Sequence, residues 1–200
     1  RSIWVTGVQT CALPISARHD QRADAHERPE RIHTSVGAAM KLISETLLDE
    51  LAAKATASPR GRAHHNLHSS SADPVQRFFV VVNRQSYVRP HRHHTKSELG
   101  LVVRGRFDIV TFDDDGVVTA RYVAGNEAQG IGFEAPQGTW HTLIAQVDGS
   151  AFLEVKEGPY DPASAAEFAP WAPPEGDAAA AEFLAWLRTA QPGARAEGRG

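Results

Sequence analysis

The chain has 200 residues, of which 42% are hydrophobic and 22% charged, so its composition is that of an ordinary globular domain. Lys and Arg number 21 against 24 Asp and Glu, a net charge of -3. No basic stripe is long enough to neutralise a run of phosphates, which excludes nucleic acid as an expected partner. No segment reaches the ~18 consecutive apolar residues that a bilayer span needs, so we expect no membrane partner either.

The first 39 residues differ in character from the rest of the chain. Residues 5–16, VTGVQTCALPIS, read as the conceptual translation of a common sequencing-library adapter, and the polar residues that follow show no apolar periodicity. We predict that residues 1–39 are a non-native or disordered leader and that Met40 starts the natural protein. Cys11 is the only Cys, so disulfide and thiolate chemistry are not expected, and a cytoplasmic location fits that composition.

Residues 40–74 are predicted to hold a short helix and a His-rich loop. The leucines of MKLISETLLDELAAK recur at near-helical spacing, and Ser44 is a candidate N-cap. Pro59 and Gly61 end the helical pattern. The polar residues after them, RAHHNLHSSSADP, lead into the next region.

Residues 75–160 carry the β pattern. Seven or eight short runs follow one another with no helical segment between them, and DDDG at 113–116 is typical of a hairpin turn. This spacing predicts an antiparallel sandwich or small barrel. Residues 161–200 then comprise a Pro-rich segment, an amphipathic helix expected to pack outside the barrel, and a frayed tail from residue 191.

Four residues of the β region have side chains that suit a metal ion. His91 and His93 are two apart, so in a strand both imidazoles project from one face. Glu98 has an odd offset, and a turn in the polar residues before it is needed for its carboxylate to join the pair. A turn at residues 136–138 can place His141 opposite. Three imidazoles and one carboxylate favour one divalent transition metal (Fe, Mn, Zn, Ni, Co or Cu) with a position left for water or substrate.

These residues fall into two spaced motifs. They read His91-x-His93-x4-Glu98-x6-Gly105 and Gly130-x5-Pro136-x-Gly138-x2-His141. Both resemble the motifs of the cupin superfamily, in the same order, although Gln85 and Ala145 stand where Gly and Asn are usual. The resemblance implies a mainly β fold, the cupin double-stranded β-helix or jelly-roll-like small barrel, here with a short N-terminal helix and a C-terminal helix. It also implies a metal bound by the four residues named above.

Flanking segments narrow the resemblance. SPRGRAHHNLH, DPVQR, SYVRPHRH and EVKEGPYDP are similar to the WbuC-type cupin metalloproteins found with bacterial surface-polysaccharide genes. The likeness covers about residues 40–175. It implies a link to polysaccharide biosynthesis but no assigned reaction.

Further polar residues are candidates for the wall of a metal pocket. His65 and His68 are candidate catalytic acids or bases, since an unperturbed imidazole titrates near about pH 6.5; the alternative is a polar loop whose imidazoles bond backbone groups. The substrate-binding candidates are His64, Asn66, Arg62, Arg77, Trp140, Glu154 and Lys156. For Arg62 and Arg77 the alternative is a solvated surface. For Glu154 and Lys156 it is a solvent-facing salt bridge instead of a charged pair inside the barrel.

Two classes of function fit the predicted site. The first is an enzyme that uses isomerase- or epimerase-like Lewis-acid chemistry on a small polar or sugar-derived substrate, with an Fe-dependent oxygenase as a further alternative. The second is a non-catalytic, metal-anchored module that binds a small ligand. Loss of a general acid or base would stop the enzyme but not the binding module. A homodimer is a further candidate, because small barrels with an exposed edge strand often pair.

Overall fold

The computed structural model describes residues 40–196; the predicted leader, residues 1–39, and residues 197–200 lie outside the described part of the chain. Helix α1 spans Glu45–Ala57. It begins where the Leu47 N–H donates to the Ser44 side chain, which confirms the predicted N-cap. Because Ser44 is extended, with a ψ of 161°, the helix starts after it and not at residue 40.

Ten strands and a second helix follow α1 in the described residues. They are β1 Arg62–Asn66, β2 Val75–Val82, β3 His91–Arg92, β4 Glu98–Arg104, β5 Arg106–Phe112, β6 Val118–Gly125, β7 Gly132–Ala135, β8 Trp140–Ala145, β9 Ser150–Glu157, β10 Glu167–Phe168 and α2 Ala180–Thr189. Sheet A has the order β1-β2-β9-β4-β7 and sheet B the order β10-β3-β8-β5-β6. The neighbouring strands run antiparallel. A sheet β2-β9-β4-β7 facing β3-β8-β5-β6 has the jelly-roll order, so the predicted cupin double-stranded β-helix is confirmed.

The two sheets face each other across an apolar core, and each outer face carries one helix. The interior cluster consists of Val82, Phe107, Ile109, Ala124, Leu143, Ala145 and Phe152. Helix α1 packs on the outside of sheet A through Leu48 and Leu51, against Phe79 of β2. Helix α2 packs on the outside of sheet B through Phe183 and Leu187, as predicted for the C-terminal helix. Neither helix within residues 40–196 is long and apolar enough to cross a membrane.

The segment after α2 is docked, so the prediction of a frayed tail is wrong for residues 191–196. The Gly193 N–H donates to the Val118 carbonyl at 2.8 Å. The Ala196 N–H donates to the Gly116 carbonyl at 3.0 Å, and Ala196 is buried. Small side chains let this backbone approach the β5–β6 hairpin closely enough to form these bonds.

The predicted His-rich loop is partly a strand. Strand β1 pairs with β2 from Arg62 opposite Val82 to Asn66 opposite Phe78. It lies at the edge of sheet A, where one side of the strand has no neighbour within residues 40–196. An edge strand accepts polar residues because half of its surroundings is water, and this polarity made the segment resemble a loop.

Candidate metal centre

Four predicted ligands come together inside the barrel from both sheets. His91 lies on β3, directly opposite His141 of β8 in sheet B. His93 follows β3, and Glu98 opens β4 in the facing sheet A. One nitrogen or carboxylate oxygen from each of the four lies within 4.8 Å of the others. The structure therefore places three imidazoles and one carboxylate around one point.

Two turns position these side chains. The four residues after His93 leave the strand, so Glu98 rejoins the site from the other sheet, as its odd offset requires. The turn before β8 is closed by the Thr139 N–H, which donates to the Pro136 carbonyl at 3.2 Å. Gly138 in that turn has a φ of +77° and donates its N–H to the His93 carbonyl at 2.7 Å. The second motif is thereby tied to the first.

Each of the three histidines is oriented by a backbone carbonyl. The Nδ1 atoms of His91, His93 and His141 lie 3.0, 2.6 and 2.9 Å from the carbonyl oxygens of Arg89, Ala165 and Thr139. A carbonyl only accepts, so each Nδ1 carries a proton and donates it. In a neutral ring Nε2 is then an unprotonated lone pair, which is the form that binds metals.

The centre is buried and electrostatically unusual. Glu98 Oε2 lies 2.8 Å from His93 Nε2, and Oε1 lies 3.9 Å from His141 Nε2. His141 Nε2 is buried and has no hydrogen-bond partner among the described residues. Burial, with His141 nearby, lowers the pKa of His91 to about 3. Burial opposes ionisation of Glu98, but the neighbouring His141, His93 and Lys156 side chains hold the pKa of Glu98 well below the usual range.

The donor set fits a divalent transition metal. A carboxylate beside Nε2 lone pairs needs a proton or a cation between them, and the orphaned Nε2 of His141 needs a partner. Burial lowers the pKa of His141, but Glu98 raises it by more, so the net pKa of His141 is raised. A positive charge beside Glu98 is therefore favoured. One cation held by the four residues would satisfy both groups, and N and O donors of this kind suit first-row ions.

Glu154 and Lys156 lie beside this centre, so the alternative of a solvent-facing salt bridge is wrong. Side chains alternate between the two faces of a strand. In β9 the even-numbered residues, Glu154 and Lys156 among them, face the barrel interior. Lys156 Nζ lies 2.5 Å from Glu154 Oε1 and 3.7 Å from Glu98 Oε2. Burial and Glu98 raise the pKa of Glu154 to about 8. The pKa of Lys156 is raised because Glu154 and Glu98 outweigh its burial.

A cavity of about 610 Å³ opens onto the centre. Its deep part is bounded by His91, Glu98, Glu154 and Lys156, and an apolar wall is provided by Phe78, Val80, Val82, Val88, Leu143 and Phe152. The mouth is polar and is lined by Arg60, Arg62, His64, Asn66, His68, Ser69, Ser70, Ser71, Gln76 and Tyr160. The cavity thus connects a polar mouth to a charged floor along an apolar side.

Six predicted wall residues line this cavity: Arg62, His64, Asn66, His68, Glu154 and Lys156. Three others do not. His65 alternates to the other side of β1, and Arg77 lies, exposed, on the outer face of β2. Trp140 belongs to the cluster under α2, where its Nε1–H donates to Asp114 at 2.9 Å. On its own strand, each of the three alternates with the inward-facing residues and therefore lies on the opposite face.

Sequence reasoning missed several residues of the mouth and wall. Gln76 and Phe78 share the interior face of β2 with Val80 and Val82. A Gln in phase with buried residues was the available signal. No such pattern marks Tyr160 in the sequence, because its position depends on a backbone hydrogen bond. The Tyr160 N–H donates to the Ser71 carbonyl at 2.7 Å.

Comparison with known proteins gives a fold likeness at low identity. The model of a domain of unknown function, DUF6016, matches residues 43–124. A search of curated proteins found no match. KdgF from Halomonas sp. is 19% identical over 52% of this chain and 84% of that protein, with a TM-score of 0.41.

Two further solved structures are similar over about half of the chain. The capsular polysaccharide assembling protein CapF from Staphylococcus aureus is 20% identical over 56% of this chain, with a TM-score of 0.44, and this chain spans 32% of it. A sugar phosphate isomerase from a cupin superfamily, from Silicibacter pomeroyi, is 18% identical over 48% of this chain and 59% of that one, with a TM-score of 0.39. Of these three proteins, the isomerase is the one described as a member of a cupin superfamily.

Proposed function

We propose that this protein is a metal-dependent enzyme of the isomerase or epimerase class that acts on a small polar, sugar-derived molecule. The observation that carries the proposal is the convergence of three oriented Nε2 atoms and Glu98 at the floor of an open cavity. His91, His93, Glu98 and His141 would hold the metal. When bound, a divalent cation supplies Lewis acidity that polarises a carbonyl or hydroxyl oxygen of the substrate.

Residues of the wall supply the proton transfers. Isomerisation removes a proton from the carbon next to a carbonyl and returns one to a neighbouring carbon or to the other face, so no atom is gained or lost. The Glu154 carboxyl borders the floor, and burial raises its pKa, which suits it to accept a proton and return it. Of the two predicted catalytic histidines, His68 lines the cavity and His65 does not.

His68 is held at the cavity wall by the backbone of Arg77. His68 Nδ1 lies 3.0 Å from the backbone nitrogen of Arg77 and 2.9 Å from its carbonyl oxygen. Nδ1 therefore contacts the backbone of β2, and Nε2 is the ring nitrogen that can form a hydrogen bond with a substrate.

Membership of the WbuC-type cupins and a link to surface-polysaccharide synthesis are part of the proposal. All four segments that carry the resemblance border one cavity. SPRGRAHHNLH supplies β1 and the mouth, DPVQR supplies Gln76, and EVKEGPYDP supplies Glu154, Lys156 and Tyr160. The fourth segment supplies His91 and His93.

Solvent-deuterium exchange tests the proposed reaction. The full chain, loaded with one divalent metal at a time, is incubated in D2O with aldoses, ketoses, sugar acids and nucleotide sugars, and 1H NMR follows loss of carbon-bound protons. We expect exchange in one substrate class, and a rate lower by about 10² in Glu154→Gln. Glu157→Gln, an exposed carboxylate on the same strand, is the matched control. Metal binding without exchange in any substrate would contradict the enzyme and favour the binding module.

A further inference from the structure

The charges at the cavity floor do not cancel once a metal is present. With both carboxylates ionised, Glu98, Glu154 and Lys156 sum to -1, and with Glu154 protonated they sum to 0. A divalent cation makes the sum positive in either state, +1 or +2. Glu98 and Glu154 are buried and the Lys156 side chain is 16% exposed, so water screens the residual charge weakly. The floor is therefore suited to one anionic group of the ligand.

The cations at the mouth already have partners. Glu175 accepts Arg60 Nε at 2.8 Å and Nη2 at 3.1 Å, and it also accepts Arg62 Nη2. The other terminal nitrogen of Arg62 donates to Ser86 Oγ and to the Tyr87 carbonyl. The side chain of Arg60 is 63% exposed, so solvent screens its charge. Neither guanidinium presents a free fork to a phosphate.

The remaining polar groups of the mouth carry no fixed negative or positive charge. His64, Asn66, His68 and Tyr160 offer hydrogen-bond donors and acceptors of the kind that hydroxyl groups use. The backbone N–H of Ser69 is already used, since it donates to Asp73 Oδ2 at 2.9 Å. A second anionic group is thus not favoured here, whereas a hydroxylated chain is.

We infer that the substrate is a polyhydroxylated monocarboxylate whose carboxylate and adjacent oxygen face the metal centre, while its hydroxylated end lies between β1 and Tyr160. This inference rests on the proposed metal-dependent function and narrows its substrate class. Sugars whose charge is carried by a phosphate, and uncharged sugars, fit the floor less well.

Calorimetric titration with three matched probes tests the inference. D-Gluconate has the carboxylate, D-glucitol replaces it with a neutral hydroxymethyl group, and D-glucitol 6-phosphate carries its charge on a phosphate. With the zinc-loaded full chain we expect D-gluconate to bind at least about tenfold more tightly than either of the others. Metal removal should abolish this preference, because the floor then has no net positive charge. Metal content is measured after each titration, to show that the probe has not removed the ion.

Two variants distinguish the contribution of the cavity floor to ligand binding from that of the mouth. Lys156→Met removes the ammonium from the floor and should weaken D-gluconate binding by about tenfold, whereas Lys54→Met, at an exposed position of α1, should not. Glu175→Gln frees Arg60 and Arg62, so it should strengthen binding of D-glucitol 6-phosphate and leave D-gluconate unchanged. Undetectable D-gluconate binding, equal binding of D-glucitol, or tighter binding of the phosphate by the parent protein would overturn the inference.

The inference and the proposed reaction can fail separately. Deuterium exchange in a neutral or phosphorylated sugar would support the isomerase and overturn the carboxylate inference. Tight, metal-dependent D-gluconate binding without exchange in any substrate would support the carboxylate inference and contradict the isomerase.

Discussion

At the residue scale, the chemistry of the three metal-centre histidines depends on what their Nδ1 atoms contact. Strand periodicity predicts that His91 and His93 point the same way, and the cupin motifs predict the partnership with Glu98 and His141. Periodicity does not predict the carbonyls that fix each tautomer. Ala165, which holds the Nδ1 of His93, lies 72 residues away in a segment without regular pattern.

The buried state of His91 predicts a pH dependence for the metal-free protein. Its pKa is about 3 in the folded chain, against 6.5 for an unperturbed His. Between these values the unfolded chain binds a proton that the folded chain does not, so the free energy of unfolding falls as the pH falls. The stability of the parent relative to His91→Gln should decrease by about 2 kcal/mol between pH 6.5 and about pH 5.

The measurement is urea unfolding of both proteins in EDTA across this pH range. His65→Gln, at an exposed position of β1, is the matched control and should follow the parent. A difference between parent and His91→Gln that stays constant with pH would contradict the account of this residue.

Gly105, which ends the first motif, has a steric role. Its φ is +71°, and a Cβ there would lie 2.3 Å from Ser150 Oγ and 2.9 Å from Ser150 Cα. Gly176 has a φ of +85° with nothing within 4 Å of such a Cβ. Gly176→Ala should cost about 1 to 2 kcal/mol from the backbone alone, and Gly105→Ala about 1 to 3 kcal/mol more from overpacking. Chemical unfolding of the two variants measures this, and equal costs would show that the contact with Ser150 is not limiting.

At the element scale, apolar periodicity predicts the elements that have two packed neighbours and fails at the edges. Helices α1 and α2 and the central strands were predictable because each has a clear buried face. Strand β1 and residues 191–196 were not, because they are held mainly by backbone hydrogen bonds to β2 and to the β5–β6 hairpin. Backbone bonds leave little trace in side-chain pattern.

Helix α2 should contribute stability without contributing to the site. Phe183 is fully buried and its ring lies 5.9 Å from Tyr87 and 5.2 Å from Trp186, centroid to centroid. Phe183→Ala should reduce the free energy of unfolding by about 3 to 5 kcal/mol through lost burial and a cavity. Ala185→Ser, on the exposed side of the same helix, should change it by less than about 0.5 kcal/mol.

Metal content serves as the second readout for this pair. The site lies on the other side of sheet B, so the fraction of Phe183→Ala that remains folded should bind metal like the parent. Loss of metal from the folded variant, or a stability change as small as that of Ala185→Ser, would contradict the assignment of α2 to the outer layer.

At the scale of the whole molecule, the jelly-roll topology builds the site from distant parts of the chain. The order of the two sheets brings β3 and β8 side by side and places β4 opposite them, which is why two motifs 24 residues apart, from Gly105 to Gly130, form one centre. The sequence therefore allowed prediction of the barrel and of the four converging side chains. The cavity mouth was less predictable, since Tyr160 reaches it from an irregular segment, and Glu175, in another irregular segment, holds Arg60 and Arg62 of the mouth.

The most direct test of the central claim is metal stoichiometry by elemental mass spectrometry. The full chain is purified without a His tag, reconstituted with one transition metal at a time, and compared with His91→Ala and His141→Ala. His94→Ala, an exposed histidine beside the site, is the matched control. We predict close to one equivalent of metal in the parent and the control, and loss of that metal in both ligand variants. No bound metal in the folded parent, or equal metal in all four proteins, would contradict the account.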